Sequence, residues 1–385
     1  MTVYRKAVQI FVDTKNIVSI LGEQKRIFRE TVMTNLLMKA ALAAGFSALA
    51  LGAAAQDVTW RVPTSVPEGS PYYVNFLVRF AENVDLLTDS RVEIQPFGAG
   101  VLVPALQVYD GVRDGIVEAG HSTPSYLVNQ NPENAIYAGF PGGMGPEAYT
   151  TWIYEGGGKE ALEKLRASEG MKSLVVGIGS SEIMAHSNKP IRTAEDLKGL
   201  KYRTSGPWAA VMKDYFGAVP TVVPPGEIYT LLERKGVDAI EWGPPSGNLP
   251  EGFHEAAPYI VVPGVHQPTF LWEVVMKQET WDALPEDLKP KLEAAAELTT
   301  LQALTHMYDQ DIKAMEQFRT TNVEIINLDP AFIEEMSDAG RDWIAKTAEA
   351  EAAAGRGTMK EVLADYTDYR TRWSAESGYL IRNED

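Results

Sequence analysis

The sequence predicts an α/β protein of two lobes joined by a hinge, with long helices at its C-terminal end. Three observations carry this. Short apolar runs alternate with helical stretches from residue 58 to about residue 271, the pattern of α/β units around a largely parallel sheet. After Trp281 the pattern changes to long segments of helical period. The chain has 385 residues, 45% of them apolar, which is enough material for more than one core.

Residues 58–62 read as the first strand, 73–88 as an amphipathic helix and 92–97 as the second strand. The stretch 102–115 reads as helix, with 116–120 a short strand behind it. Beyond a Pro/Gly-rich stretch at 131–146, residues 149–167 read as helix and 174–178 as a strand of continuous apolar residues. Gly156-Gly157-Gly158-Lys159 lacks the glycine spacing of a phosphate loop and is followed by Glu160 rather than Ser or Thr. A tight turn with φ > 0 accounts for these glycines without a ligand. Thr193-Ala-Glu-Asp196 has the form of a capping box, in which a Thr oxygen satisfies an orphan N–H and acidic residues complement the helix dipole. Residues 200–203 and 237–240 are further strands. Residues 284–318, 330–355 and 359–377 are long helices, with a late strand at 323–328.

Ahead of all this, Lys39 precedes an apolar run from Ala40 to Gly52, then Ala53-Ala54-Ala55 and the polar pair Gln56-Asp57. That is the three-part pattern of a secretory signal peptide, with cleavage expected after Ala55. The apolar run falls well short of the ~20 residues of a membrane-spanning helix. Residues 1–32 fit no part of the pattern, and Met33 and Met38 are alternative starts.

Without residues 1–55 the chain carries 28 basic and 49 acidic residues, a net charge of −21. So acidic a surface argues against nucleic acid and against anionic lipid as partners. Cysteine is absent, which excludes disulfides, thiolate metal sites and thiol nucleophiles. The five histidines, at 121, 186, 254, 266 and 306, include no pair at the i, i+4 spacing of a helical zinc site. No G-x-S-x-G elbow occurs after residue 55. Enzyme chemistry therefore has little support; the alternative that remains is an exported enzyme using Glu182 and Glu241 as an acid/base carboxylate pair.

Arg203 ends a strand and precedes Thr204-Ser205-Gly206, so its guanidinium is expected at the carboxyl end of a sheet, where open α/β folds bind ligands. A planar fork there pairs bidentately with a carboxylate. Glu241-Trp242 likewise follows a short strand.

Three blocks resemble a known family. The first is Phe97-Gly-Ala-Gly-Val-Leu-Val-Pro104, continuing through Asp110-Gly-Val-Arg-Asp-Gly to His121-Ser-Thr. The second is Asn131-Pro132, Phe140-Pro-Gly-Gly-Met144 and Trp152-Ile-Tyr-Glu-Gly-Gly-Gly158. The third is Ala194-Glu-Asp-Leu-Lys-Gly-Leu-Lys-Tyr-Arg203, Glu227-Ile-Tyr and Asp238-Ala-Ile-Glu-Trp242. Together they resemble the substrate-binding (DctP-type) subunits of tripartite ATP-independent periplasmic (TRAP) transporters, in the subgroup of 2-oxo acid and mannitol/chloroaromatic type.

The resemblance implies a type II periplasmic binding protein. Residues 56–180 and 270–330 would form one lobe, 181–269 the other, and 331–385 a helical region that braces the lobes or mediates a homodimer. It implies a periplasmic receptor that captures a small organic carboxylate, of 2-oxo or 2-hydroxy acid type, and delivers it to membrane permease subunits. No organic cofactor is implied. Arg203 would clamp the carboxylate, while the Glu241 carboxylate and the Trp242 carbonyl would hold a cation bridging to the substrate. Oxygen donors suit Na⁺ or Ca²⁺. The family spacing reaches Glu182 where relatives carry a cation-ligating glutamine. A second carboxylate there favours a divalent ion, or a zwitterionic ligand. Ser65, Ser122, Thr123 and Tyr126 are expected donors from the facing lobe, and Trp208 and His266 are candidates for the second lobe's wall, although packing alone would also account for both.

Overall fold

A computed structural model describes residues 57–380; the chain divides into two units at Ala55/Gln56, and the described residues belong to the second. The expected leader lies outside the described residues. The strands are β1 (Val58–Pro63), β2 (Val92–Phe97), β3 (Ala119–Ser122), β4 (Met171–Gly179), β5 (Ala185–Ser187), β6 (Lys201–Arg203), β7 (Val219–Thr221), β8 (Ala239–Ile240), β9 (Tyr259–Val262), β10 (Phe270–Lys277) and β11 (Glu324–Asn327).

They form two mixed sheets rather than largely parallel ones. In the first lobe β1 and β2 pair in parallel, and a bridge from Thr64 to His121 joins them to β3. The order continues β3-β10-β4, with β10 antiparallel to both neighbours. In the second lobe the order is β11-β9-β5-β8-β6-β7. The antiparallel strands β5 and β10 are those that receive the chain as it passes between lobes, through residues 180–184 and 263–269. An extended crossing enters the next sheet without the helical crossover that a parallel strand requires, which is why the parallel expectation fails there.

One boundary differs from expectation. Residues 270–330 are expected in the first lobe, but β11 pairs in parallel with β9, Glu324 opposite Tyr259 through Asn327 opposite Val262, so it belongs to the second sheet. The reason is the exposed edge of β9, whose backbone groups need a partner. The 30-residue helix Lys289–Phe318 supplies the crossover.

Several elements are trimmed. The 102–115 helix is a 3₁₀ turn plus Val108–Arg113, and the strand behind it begins at Ala119. The 73–88 helix opens with a π turn at Tyr73–Val78. The 149–167 helix is two, Pro146–Glu155 and Gly158–Ser168, broken at Gly157 with φ of 92°. Thr193 and Asp196 form the expected capping box.

The helix Pro330–Ala353 packs Phe332, Met336 and Ala339 into the second lobe's core. Its later residues Ile344 and Ala348 join a cluster with Tyr137, Trp152 and Leu162 of the first lobe. Helix Thr358–Glu376 lies on that same cluster, where Tyr366 is buried and its hydroxyl accepts from the Met144 N–H at 2.6 Å.

Candidate functional site

Arg203 and Glu241 come together because their strands run side by side in parallel. Arg203 is opposite Ile240 in the β6–β8 register, so the next residue after β8 emerges beside the guanidinium at the carboxyl edge of the sheet. The Glu241 N–H donates to the Arg203 carbonyl at 3.2 Å. Tyr202, between Lys201 and Arg203, points the other way, into the core, and its hydroxyl donates to the Met184 carbonyl. The alternation of a strand thus sends Arg203 towards the cleft.

The Arg203 side chain is 1% exposed. Nη1 donates to the Glu241 carbonyl at 2.8 Å and to Glu241 Oε1 at 3.4 Å, and Nη2 donates to the Val223 carbonyl at 3.3 Å. Nε has no partner. A guanidinium has five N–H donors. The Nε–H is unused; it shares an edge of the fork with Nη2, the edge spaced to receive both oxygens of one carboxylate.

Glu182 and His266 reach the same place from the two segments that cross between lobes. These segments touch: the Glu182 N–H donates to the Gln267 carbonyl at 3.3 Å, and a Cβ on Gly264 would lie 1.9 Å from the Glu182 carbonyl oxygen. Only glycine at 264 permits so close an approach. His266 Nε2 and Glu182 Oε2 are 3.1 Å apart. Glu241 Oε1 also accepts from the Ser205 N–H at 3.0 Å.

Burial pushes the Glu182 carboxyl up to about 8, against the pull of Glu241 and Arg203, and burial raises Glu241 too. Burial lowers the His266 imidazole to about 4, keeping it neutral. One donor atom from each of Glu182, Glu241 and His266 can be chosen so that all lie within 4.8 Å of one another. That set of two carboxylates and a neutral imidazole fits a cation.

The cavity is lined by both lobes. Tyr72, Thr123, Ser125, Tyr126, Phe270 and Trp272 face Arg203, Ser205, Glu182, Glu241, Trp242 and Gln267. Its volume is about 20 Å³, room for about one water, so the cleft is closed and anything larger enters only when the lobes part. The Trp242 ring meets Tyr72 edge-on at 5.3 Å and lies 5.7 Å from the Arg203 guanidinium. Burial raises the Tyr126 hydroxyl to about 12, held back by the charge of Arg203 beside it. A larger depression, about 440 Å³, lies along helix Lys289–Phe318, but its lining residues His306 and Lys313 are exposed.

Of the residues singled out in the sequence, Arg203, Glu182, Glu241, Trp242, Thr123 and Tyr126 line this cavity. Ser65 and Ser122 do not: they are buried behind the lining, bonded to each other at 3.3 Å. Trp208 is in the second lobe's core, its ring tilted against Phe216, so packing is its role here. His266 backs Glu182 rather than forming wall. Tyr72, Phe270, Trp272 and Gln267 are lining residues that sequence reasoning misses. Tyr72 adjoins a helical pattern and Phe270 and Trp272 lie in a strand pattern, where aromatics read as core; Gln267, next to His266, carries no signal.

The chain has relatives. A family model described as bacterial extracellular solute-binding protein, family 7, matches residues 63–351. A monocarboxylate 2-oxoacid-binding periplasmic protein of Nostoc is 33% identical over 253 residues, 66% of this chain and 69% of that one. Among solved structures, a TRAP periplasmic solute-binding protein from Pseudoalteromonas atlantica, with bound sodium and pyruvate, superposes with a TM-score of 0.78 at 27% identity, covering 84% of this chain and 97% of that one. One from Colwellia psychrerythraea, with bound calcium and pyruvate, has a TM-score of 0.78 at 26% identity and the same coverage.

Proposed function

The chain belongs to family 7 of the bacterial extracellular solute-binding proteins, and on that premise we propose that its cleft captures a small organic acid with an oxo or hydroxy group beside the carboxylate. The protein is the solute-binding receptor of a TRAP transporter, a type II periplasmic binding protein that works with membrane permease subunits. The pyruvate-bound neighbours and the 2-oxoacid-binding relative support the substrate class.

The observation that carries the reading is the unpartnered Nε–H of Arg203, buried in the lining of the cleft. Arg203 clamps the carboxylate; Thr123 and Tyr126 close on it from the first lobe; Glu182, Glu241 and the Trp242 carbonyl hold a cation beside it. Capture favours the closed state because contacts from both lobes exist only there. Glu182 and Glu241 act as binding groups in this reading, as the family's transport role supports.

The test is calorimetric titration of pyruvate into the wild type and Arg203→Ala. Losing one partner of a buried charge pair costs roughly 2–5 kcal/mol, so affinity is expected to fall by at least about thirtyfold. Unchanged affinity overturns the clamp. Residues 331–385 are proposed to contribute to a homodimer as well as to the fold. Light scattering on the intact chain should then give about twice the mass of one copy, and a monomer mass refutes it.

A further inference from the structure

We propose that Tyr72 is the positioning residue that sets how far the two lobes close: its ring is pinned in the first lobe, and its hydroxyl seats in a recess of the second built from glycine. The inference rests on the receptor reading for its purpose, because closure is how the cleft captures an acid, but on side-chain packing for its substance.

Tyr72 stands at the start of the helix that opens with the π turn Tyr73–Val78. Its ring stacks on Trp272 at 5.3 Å and on Phe76 at 5.7 Å, and meets Phe270 edge-on at 5.7 Å, all in the first lobe. A tyrosine turns about only two side-chain bonds, so a ring held by three others delivers its hydroxyl to one place. That place is in the second lobe, beside the Trp242 ring at 5.3 Å and against the turn after β8. A Cβ on Gly243 would lie 1.8 Å from the Tyr72 hydroxyl oxygen and 3.0 Å from its Cζ, and a Cβ on Gly247 3.3 Å from the same oxygen.

Neither glycine has a φ in the left-handed region, so backbone conformation does not demand glycine there. What the two supply is the space that a hydroxyl of the other lobe fills. The recess is stiff: the Gly243 carbonyl accepts from the Ile183 N–H and from Asn248 Nδ2, both at 2.9 Å, and Pro244 and Pro245 follow. Within its own lobe a Cβ on Gly243 meets nothing closer than Asn248 Oδ1, at 3.7 Å, an ordinary contact. The added methyl therefore clashes only when the lobes close. Asn248 Oδ1 and the Tyr72 hydroxyl are both buried without a hydrogen-bond partner, an acceptor from one lobe and a donor from the other beside the same recess. The spacing fixed in this way is the one at which Thr123 and Tyr126 face Arg203 across the cavity.

The experiment compares full-length wild type, Gly243→Ala, Tyr72→Phe and the double variant by calorimetric titration with pyruvate. A closed state made less accessible lowers apparent affinity in proportion. Overpacking of this kind should weaken Gly243→Ala at least about tenfold, while its unfolding midpoint without ligand stays unchanged. Tyr72→Phe removes the oxygen and keeps the ring, so the double variant should recover at least about threefold of that loss. A loss below about tenfold in Gly243→Ala overturns the proposal, and so does a double variant that binds no better. A readout without ligand separates this from the receptor reading. The chain has no cysteine, and a Cβ on Gly226 of the second lobe would lie 3.8 Å from Pro67 Cγ of the first, both residues exposed. Pro67→Cys with Gly226→Cys can thus form a disulfide in the closed form. Under mild oxidation it should form in the otherwise unchanged chain, at least about tenfold more slowly with Gly243→Ala, and faster again once Tyr72→Phe is added. No crosslink, or one indifferent to Gly243→Ala, overturns the proposal. Crosslinking that follows the expected pattern while the wild type takes up no pyruvate would uphold Tyr72 and sink the substrate class instead.

Discussion

Arg166 in the first lobe and Arg203 in the cleft are both buried among carboxylates, yet their surroundings are built to different ends. Every nitrogen of Arg166 is engaged: Nε with both oxygens of Glu273 at 3.0 and 3.1 Å, Nη1 with Glu169 at 3.0 Å, Nη2 with Asn134 at 2.8 Å and with Glu273 at 2.6 Å. Glu273 also accepts from the Tyr109 and Ser173 hydroxyls, at 2.7 and 2.5 Å. Arg203 has an idle Nε. A fully satisfied buried network fixes a core, and a partly satisfied one stays costly until another group completes it. The unsatisfied cluster is the one between lobes, where water or a ligand can reach it when they part.

The contrast is broken most readily at Arg166. Arg166→Ala strands Glu273 in a dry core and should cost about 3–5 kcal/mol of stability in chemical denaturation. A loss below ~1 kcal/mol would mean the network can be rehydrated like the cleft.

A pH-dependent effect is expected from Glu182. Its carboxyl is raised to about 8 in the folded state, above the ordinary carboxylate range, so the folded protein holds a proton that the unfolded chain releases. The stabilisation is complete at low pH, below the unfolded value, and is lost as pH rises through about 8. In metal-free protein, stability should therefore fall between about pH 4.5 and 8 with a slope of at most ~1.4 kcal/mol per pH unit. Glu182→Gln should flatten that slope; an unaltered profile would assign it to other groups.

Smallest of all is the stability effect of Arg203→Ala. The lobes can open and hydrate Glu241, so the loss should not exceed about 1 kcal/mol, the worth of an ordinary hydrogen bond, although binding collapses. Destabilisation equal to that of Arg166→Ala would erase the distinction between scaffold and site.

Much of this site was legible from the chain. Arg203 and Glu241 each follow a short strand, and residues that end parallel strands gather at one edge, so local pattern sufficed. Glu182 was placed by the family spacing counted back from Arg203. His266 was not legible as the partner of Glu182, because the two lie 84 residues apart and meet only where two inter-lobe segments touch at Gly264. Ser65 and Ser122 are misplaced by sequence reasoning for the converse reason: a strand-end position predicts the edge but not which residues of it face inward.

The sequence by itself determined the α/β alternation, the long C-terminal helices, the family and the placement of Arg203 at a strand end, since these depend on periodicity and motifs read within a few tens of residues. Tertiary structure alone decided that β11 joins the second sheet, that Tyr72 and Trp242 meet across the cleft, and that one cluster of buried charge is saturated while the other is not. Those outcomes depend on which distant segments exclude water from one another, and burial of that kind has no local signature.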